Sequence, residues 1–445
     1  MYNEHMELSL ARALRIADDS CIAFIGAGGK TQAIFNLARE IKTPVVITAT
    51  SHLGDWQTTL ADRHIITNES SIKELENDFQ GILLVTGESD GSRTQPINPA
   101  LLNWLCAFCK SKKIPLLIEA DGSREKPLKA WAEHEPPIPE FVNLIVHVAG
   151  LKGLGMPLDD KNIHHPEIFS KLSGLKHGET ITRDALITVI THSDGGLKNI
   201  PKNARTVVLL NQADTPETQS MAYAMATPLL STHHSVIVAS LLNNKIHAVH
   251  EPIAGIILAA GASSRFGEPK QVLDWKGETF VKAVAKTALN SGLSPVIVVT
   301  GANAEQVESA VADINVGVVR NTNWNSGQGS SIKAGLDILP PECGGVIFLL
   351  ADQPQVDTSI IQALKEKHAE GLHPIVAPMV LDRRANPVLF DRVTFPDLME
   401  IEGDTGGRAI FHKHRVEYLP WHDDSLLLDV DTPENYQRLI SSGDI

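Results

Sequence analysis

The sequence is poor in cysteine and in basic side chains. Four cysteines in 445 residues are too few for the disulfide framework of a small secreted domain, so the fold must rest on hydrophobic cores. Lysine and arginine number 39 against 53 aspartates and glutamates, which gives a net charge of −14. This acidic balance argues against a nucleic-acid groove and an anionic membrane surface, because both need basic patches.

Long apolar runs are also missing. None approaches the roughly 20 residues that a membrane helix needs, and residues 1–7 are polar, unlike a signal peptide. We therefore expect a cytoplasmic protein with no nucleic-acid or membrane partner. The composition, with 43% hydrophobic residues, is that of a globular protein. Its 445 residues are more than one hydrophobic core usually organises, so two or three domains are expected.

Two of the cysteines, Cys106 and Cys109, have the CxxC spacing of redox and zinc sites. They also continue the helical spacing of Leu102 and Leu105, which predicts one apolar stripe on a helix. A second CxxC, needed to complete a zinc site, is missing from the sequence. We interpret both cysteines as core residues.

Residues 255–270 (GIILAAGASSRFGEPK) have the pattern of a strand that ends in a phosphate-binding loop. The β-branched start predicts a buried strand, and the small residues after it let backbone N–H groups approach phosphate oxygens. Arg265 would add a planar fork and Lys270 a compact charge against a triphosphate. On the residues alone, the alternative is an ordinary turn with two solvated cations.

LAAGASSRFGEPK resembles the LAAGxSxRMGxxK signature of the MobA-like nucleotidyltransferases, with Phe266 where methionine is usual. The resemblance covers residues 253 to 440, and LAAG is similar to the MocA-like molybdenum cofactor cytidylyltransferases more than to the guanylyltransferases. It implies a Rossmann-like α/β sheet and transfer of CMP from CTP to molybdopterin, with Mg²⁺ and release of pyrophosphate. Lys270, Arg265 and Asp352 would then be catalytic. The implied nucleotide-binding residues are Leu258, Ala259, Ala260, Gly261, Ser263 and Ser331.

Ser331 lies in a glycine- and serine-rich stretch, 321–336, which we expect to open a helix. From the residues alone, Ser330 or Ser331 would cap that helix. The resemblance instead implies that Ser331 contacts the nucleotide base.

Acidic residues follow two predicted strands of this half. The apolar strand 345–350 leads to Asp352, and a carboxylate there, beside a phosphate loop, is placed to hold Mg²⁺; a turn-initiating aspartate is the alternative. Residues 351–354 (ADQP) resemble the GDQP pattern of the family, with Ala351 in place of its glycine. Asp429 and Asp431 share a strand face, and the resemblance implies that they complete the metal site, Asp431 before Asp429.

Two further loops resemble the acceptor-binding segments of the family. RRANPVLF (383–390) stands for RGHPVLF, with alanine and asparagine in place of glycine and histidine, and GDTGGR (403–408) resembles GDxGxR. The resemblance implies acceptor contacts by Asn386, Asp404 and Arg408, and a guanidinium suits a pterin phosphate. Without it, both are plausible surface turns.

The N-terminal half contains a second candidate phosphate loop. Strand 21–25 runs into GAGGKT and then into a helix, so loop amides would hold an anion, Lys30 would reach outer phosphates and Thr31 would bind magnesium. The spacing is shorter than GxxxxGK[ST], and a tight turn before a helix is the alternative. The candidate nucleotide-binding residues are Gly26, Gly28, Gly29, Lys30 and Thr31.

Possible metal ligands accompany this loop. Glu119 and Asp121 follow strand 116–118 at the sheet edge where ligands bind, and either could hold Mg²⁺; a turn aspartate is the alternative. His164 and His165 could also bind a metal. Adjacent histidines rarely bind one ion, however, so we favour surface or hydrogen-bonded roles for them.

Residues 8 to 245 resemble the YqeC family, which is associated with selenium-dependent molybdenum hydroxylases. The segments that carry the resemblance are GAGGKT, IEADGSREKPLKAWAEHEPPIP, GLGMPLDDKNIHHPE and LLNQAD. It implies a P-loop-like α/β domain and suggests a molybdenum hydroxylase apoenzyme as a partner. LLNQAD is also similar to the NKxD motif of GTPases, with Gln212 in place of lysine. We predict a YqeC-like nucleotide-binding domain at 1–250 and a MobA-like domain at 251–445.

Three functions stay open at this point. The chain is a cytidylyltransferase, or a non-catalytic nucleotide-dependent carrier or insertion module, or a transferase that uses another nucleotide such as GTP or another phosphorylated acceptor. All three act on small-molecule substrates, and we expect the first.

Overall fold

The computed structural model describes residues 8–67, 79–263, 266–430 and 432–442. The chain divides into two compact units, Met1–His250 and Glu251–Ile445. Each unit is a mainly parallel sheet with helices between its strands, so the predicted two-sheet α/β class is confirmed.

The N-terminal unit contains one sheet that has nine strands among the described residues. In chain order they are β1 (Cys21–Gly26), β2 (Val45–Ala49), β3 (Arg63–Ile66), β4 (Ile82–Thr86), β5 (Leu116–Glu119), β6 (Leu144–Gly150), β7 (Arg205–Asn211), β8 (Ser235–Ser240) and β9 (Lys245–His250). Their order across the sheet is β9-β8-β7-β6-β1-β5-β2-β4-β3. Only the β8–β9 pair is antiparallel among these. Buried parallel strands explain the uninterrupted apolar runs of this half.

Helices connect these strands and cover the sheet. They are α1 (Leu10–Ala13), α2 (Lys30–Glu40), α3 (Pro99–Lys112), α4 (Pro166–Ser173), α5 (Arg183–Thr191) and α6 (Pro216–Leu229). The helix predicted over 8–17 is only the four residues of α1, because Arg15 has a φ of 49° and leaves the helical region. Cys106 and Cys109 lie on the buried face of α3, so their interpretation as core residues is confirmed.

The C-terminal unit contains an eight-stranded sheet, counted over the described residues. Its strands are β10 (Ile253–Ala259), β11 (Val296–Thr300), β12 (Gly317–Arg320), β13 (Gly345–Leu350), β14 (Ile375–Val380), β15 (Arg383–Arg384), β16 (Val388–Asp391) and β17 (Val416–Pro420). The order is β12-β11-β10-β13-β16-β14-β15, with β17 beside β14. β10 to β13 are mutually parallel, and β16 runs antiparallel to both of its neighbours.

Six helices complete the described part of this unit: α7 (Phe280–Asn290), α8 (Ala304–Ala310), α9 (Gln328–Leu336), α10 (Thr358–Gly371), α11 (Phe395–Leu398) and α12 (Pro433–Ser442). One short ribbon of the N-terminal unit matters below, because it pairs Leu128–Lys129 with Ile163–His164. Across the described ranges, no helix combines the length and the apolar character that crossing a membrane requires.

Candidate functional site

The main site of the C-terminal unit lies where two adjacent parallel strands end. β10 and β13 pair Leu258 with Leu350, so the segments that follow them emerge side by side at the carboxyl edge, where α/β sheets bind ligands. Lys270 Nζ donates to Asp352 Oδ2 at 2.8 Å. The two side chains are 13% and 27% exposed, so the pair is partly open to solvent.

The loop after β10 is held by hydrogen bonds that its own side chains make. Lys270 N donates to Ser263 Oγ at 3.1 Å, and Ser263 Oγ donates to Gln271 Oε1 at 3.2 Å. Gln271 Nε2 returns to the loop and donates to Gly261 O at 2.8 Å. Gln271 is buried and braces the loop, a role that no pattern in the sequence indicates.

This loop forms one wall of a cleft of about 420 Å³. Most of the predicted nucleotide-binding residues of this unit line the cleft together with both members of the ion pair. Its lining residues are Leu258, Ala260, Gly261, Ser263, Phe266, Lys270, Gln271, Trp324, Gly327, Gln328, Ser331, Leu350, Ala351, Asp352 and Asp404. Ala259 is instead buried within β10 and does not line the cleft. Trp324 and Gln328 are lining residues that sequence reasoning missed.

The serines of the second loop do not cap a helix. α9 begins at Gln328 after Gly327, so Ser330 and Ser331 lie within its first turn. Asn321 Nδ2 donates to Ser330 Oγ at 2.7 Å and to Ser331 Oγ at 3.0 Å. The capping alternative is therefore wrong, and Asn321 orients the hydroxyl that faces the cleft.

The loop at 403–406 reaches the cleft through contact with the start of α9. Gly327 has a φ of 104°, and a Cβ there would lie 2.3 Å from the carbonyl carbon of Gly403. Gly329 N donates to Gly403 O at 3.0 Å. These contacts place Asp404 on the cleft, as the prediction of acceptor binding requires.

The other predicted acceptor residues lie away from the cleft. Arg408 is exposed in a short 3-10 turn, and Asn386 is half-buried before a cis proline. Neither is a lining residue. Of the three residues predicted to contact the acceptor, the structure therefore places one, Asp404, on the cleft.

The acidic segments of this unit meet through a glutamine. Gln353 Nε2 donates to Asp429 Oδ1 at 2.7 Å, which ties the segment after β13 to the segment before α12. Asp429 is exposed, whereas Gln353 is buried and its Oε1 has no hydrogen-bond partner among the described residues. Arg265 and Asp431, also predicted for this site, lie outside the residues that the structure describes.

In the N-terminal unit, the GAGGKT loop follows β1 and its lysine folds back onto the loop. Lys30 is 4% exposed. Its Nζ donates to Gly26 O at 2.6 Å and lies 3.2 Å from Asp121 Oδ1. Lys129 Nζ lies 3.2 Å from the other carboxylate oxygen. Burial acts to raise the pKa of Asp121, but the two ammonium groups outweigh it and hold that pKa below its ordinary value.

The other acidic residue of this site has different neighbours. Thr31 Oγ1 donates to Glu119 Oε2 at 3.2 Å and accepts from Gln57 Nε2 at 2.8 Å. Burial raises the pKa of Glu119 despite the attraction of Lys30. The charge of Asp121 is therefore balanced by two lysines. Glu119 instead contacts the hydroxyl of Thr31 at the start of α2, so this carboxylate and this hydroxyl are placed to bind one metal ion together.

Glycine is required in this loop for steric reasons. Gly28 has a φ of 83°, and a Cβ there would lie 2.4 Å from Gly150 Cα. The loop is also anchored from the end of β7, two strands away from β1 in the sheet, because Asn211 Nδ2 donates to Gly28 O at 2.8 Å.

A cleft of about 1460 Å³ opens in front of this loop. It is lined by Gly28, Gly29, Lys30, Thr31, Glu119 and Asp121 but not by Gly26. Four further cationic side chains, Arg93, Arg124, Lys126 and Lys152, share its lining. With Lys30 the lining holds five cations against four carboxylates, so the cleft offers cationic partners to an anionic ligand while its net charge stays close to neutral.

Comparison with known proteins assigns the two units to families. Residues 255–418 match the sequence model of the MobA-like NTP transferase domain, and residues 22–167 match that of the YqeC protein. A relative of the C-terminal unit, nicotine blue oxidoreductase of Paenarthrobacter nicotinovorans, is 33% identical over 197 residues, 42% of this chain and 96% of that protein. The chain belongs to the MobA-like NTP transferase family.

Other relatives extend over one or the other domain. Uncharacterized protein YqeC of Escherichia coli is 29% identical over 216 residues, 47% of this chain and 82% of that protein. A probable molybdenum cofactor guanylyltransferase of Bacillus mycoides is 30% identical over 139 residues, 31% of this chain and 66% of that protein. The crystal structure of Rv0371c from Mycobacterium tuberculosis is 30% identical, with a TM-score of 0.39, and the match covers 43% of this chain and 98% of that one.

The predicted fusion is therefore confirmed: a YqeC domain precedes a MobA-like nucleotidyltransferase domain. In the MobA-like domain, the loop after β10 that carries the family signature and the carboxylate of Asp352 line the same cleft. The relatives carry names of different activities, so the nucleotide and the acceptor are separate questions from the family.

Proposed function

We propose that the MobA-like domain transfers a cytidylyl group from CTP to the terminal phosphate of a molybdopterin cofactor and releases pyrophosphate. The observation that carries this proposal is the Lys270–Asp352 ion pair, set beside a small-residue loop on a cleft of about 420 Å³. The LAAG form of the loop favours CTP. The guanylyltransferase among the relatives supports GTP as the alternative donor.

The reaction needs positioned charge more than a protein nucleophile. An oxygen of the acceptor phosphate attacks the α-phosphorus in line, and the bond from that phosphorus to the bridging oxygen breaks as pyrophosphate leaves. Lys270, with Arg265, donates to the triphosphate and stabilises the charge that develops on the leaving group. The backbone N–H groups of residues 260–263 surround the phosphates, since small side chains leave them accessible.

The donor set fits magnesium. Asp352 presents a carboxylate to the cleft, Asp429 is exposed, and Gln353 joins the two segments; such hard oxygen ligands are those that Mg²⁺ prefers. Asp352, with Asp431 and Asp429, would hold the ion, which supplies charge neutralisation at the phosphate oxygens when bound. Ser331, oriented by Asn321, faces the nucleotide base, and Asp404, the predicted acceptor residue that lines the cleft, serves the acceptor.

The YqeC domain supports a second, non-catalytic role. Its glycine loop, the Thr31–Glu119 contact and the mixed cations and carboxylates of its cleft suit a nucleotide with a divalent ion. In this role the domain binds a nucleotide or the finished cofactor and passes it to a molybdenum hydroxylase apoenzyme, while the MobA-like domain performs the transfer.

A nucleotide panel tests the proposal. The purified full chain, with Mg²⁺ and molybdopterin-loaded acceptor, receives CTP, GTP or ATP, and pyrophosphate release is followed. Release that needs the acceptor and occurs with CTP alone is the expected result. Preference for GTP would overturn the assignment of the base, and silence with all three would support the carrier function or another acceptor.

A further inference from the structure

In the YqeC domain, Glu135 comes together with the adjacent histidines His164 and His165 from a distant part of the chain. Each offers a ligand atom, and these atoms lie within 4.8 Å of one another. The ribbon that pairs Lys129 with His164 produces this convergence, because it brings the segment before Glu135 beside the two histidines. All three residues line the cleft that contains the GAGGKT loop.

The two histidines differ in exposure: His165 is 29% exposed, in line with the surface role that the sequence favoured, whereas His164 is largely buried. His164 is 9% exposed, and His165 lies between two carboxylates, with Nε2 3.6 Å from Glu135 Oε2 and Nδ1 3.4 Å from Glu167 Oε1. The ring centroids are 4.0 Å apart. His165 has a φ of 63°, in the left-handed region that histidine adopts more readily than most non-glycine residues. Two adjacent imidazoles and a carboxylate on the wall of one cleft are the ligand types that a transition metal ion binds.

The two carboxylate oxygens of Glu135 have different neighbours. Lys129 Nζ lies 3.1 Å from Oε1, which leaves Oε2 beside His165. Ala132 N donates to Oε2 at 3.2 Å, and His165 Nε2 lies 3.6 Å from it, too far for a hydrogen bond. Ligands of a tetrahedral ion at about 2.1 Å lie about 3.4 Å apart, so this separation is close to that of two ligands of one metal.

We propose that Glu135, His164 and His165 bind one divalent transition metal ion of the zinc class, with a coordination position open to the cleft. Two imidazoles and one carboxylate select zinc or cobalt over magnesium, which prefers oxygen. Three protein ligands that face a cleft leave the fourth position to water or to a bound ligand, whereas structural zinc sites are closed by four. The site is distinct from the aspartates of the MobA-like domain, and the proposal does not depend on cytidylyl transfer.

Cobalt uptake by the full chain tests this site, because four-coordinate Co²⁺ absorbs strongly in the visible range, whereas six-coordinate Co²⁺ held by oxygen ligands alone absorbs weakly. We expect one strongly absorbing ion per chain, in wild type and in Asp352→Asn alike. His165→Asn should weaken cobalt binding at least 10- to 100-fold. Losing a metal ligand costs no less affinity than losing a group that hydrogen-bonds to such a ligand. Asparagine tolerates positive φ, so the backbone is preserved.

His177→Asn is the matched control, because His177 is an exposed histidine of the same domain. Glu135→Gln is a second variant of a proposed ligand. Circular dichroism of Glu135→Gln and of His165→Asn verifies that both variants fold. Equal cobalt affinity in wild type and His165→Asn would overturn the proposal. So would a wild-type protein that shows no strong absorption at saturating Co²⁺.

Discussion

Lys270 Nζ and Asp352 Oδ2 are 2.8 Å apart, although 82 residues separate them in the chain. They meet because each follows one of two adjacent parallel strands, β10 and β13. A partly exposed ion pair of this kind contributes about 1 kcal/mol or less to stability. In the proposed reaction both groups exchange this partner for the substrate, the ammonium for phosphate oxygens and the carboxylate for the metal.

Asp352→Asn should therefore damage catalysis and spare the fold. We expect turnover at saturating Mg²⁺ to fall on the order of 10²- to 10⁴-fold, several kcal/mol of transition-state stabilisation. The free energy of unfolding should change by about 1 kcal/mol or less. Steady-state pyrophosphate release and thermal unfolding measure the two effects. Asp337→Asn, which removes an exposed carboxylate of the same domain, is the control; near-wild-type turnover of Asp352→Asn would remove that residue from the site.

Gly327→Ala should impair binding of the acceptor more than binding of the nucleotide. An added Cβ would lie 2.3 Å from the carbonyl carbon of Gly403, so the loop that holds Asp404 must move. We expect KM for the acceptor to rise roughly tenfold, on the order of 1.4 kcal/mol, with KM for CTP little changed. Parallel titrations of each substrate measure this.

Gly277→Ala is a control for backbone strain alone. Gly277 has a φ of 85° in the same domain, but a Cβ there meets nothing within 4 Å. If the two alanine variants show the same acceptor KM, the contact between residues 327 and 403 does not position the acceptor loop.

Thr31→Val should weaken magnesium-dependent nucleotide binding in the YqeC domain. The substitution keeps the shape but removes the hydroxyl that joins Glu119 and Gln57. We expect roughly tenfold weaker binding of a nucleotide triphosphate with Mg²⁺, and no change without the ion, because a metal ligand is lost. Equilibrium binding is compared between the full chain carrying Asp352→Asn and the same chain with Thr31→Val added, so that the difference reports on this domain. Thr31→Ser should restore affinity; equal binding by the valine variant would exclude Thr31 as a ligand.

The sequence was sufficient to predict groups that stand at strand ends. Glycine-rich loops after β1 and β10 and carboxylates after β5 and β13 are visible in the sequence because apolar runs stop there. Parallel strands deliver their carboxyl ends to one edge, so Asp352 was expected beside the phosphate loop. Its ion pair with Lys270 was not part of that expectation.

Residues that act through distant hydrogen bonds could not be found in the same way. Gln271, Gln353 and Asn321 support the MobA-like cleft through partners that no local pattern specifies. The convergence of Glu135 with the histidine pair depends on a two-residue ribbon between distant segments. Such short pairings carry almost no periodic signal.

His147 should make the YqeC domain sensitive to acid. It lies 4% exposed in β6, with its ring against Trp131, and burial, together with His233, lowers its pKa to about 3. The unfolded chain, with an ordinary pKa near 6.5, therefore binds more protons than the folded one between about pH 3 and 6.5. Stability from this group is complete above pH 6.5 and falls as the pH decreases, by about 2 kcal/mol at pH 5.

His147→Gln removes this titration, so the loss of stability between pH 7 and pH 5 should shrink by about 2 kcal/mol, even though the variant is less stable at both pH values. Hydrogen exchange of β1 and β6 peptides, measured against urea at each pH, reports the unfolding of this domain. His177→Gln, an exposed histidine, should leave the pH difference as in wild type. An unchanged pH difference in His147→Gln would show that the buried imidazole is not the source of the acid sensitivity, and would direct attention to His233, whose pKa burial lowers to about 4.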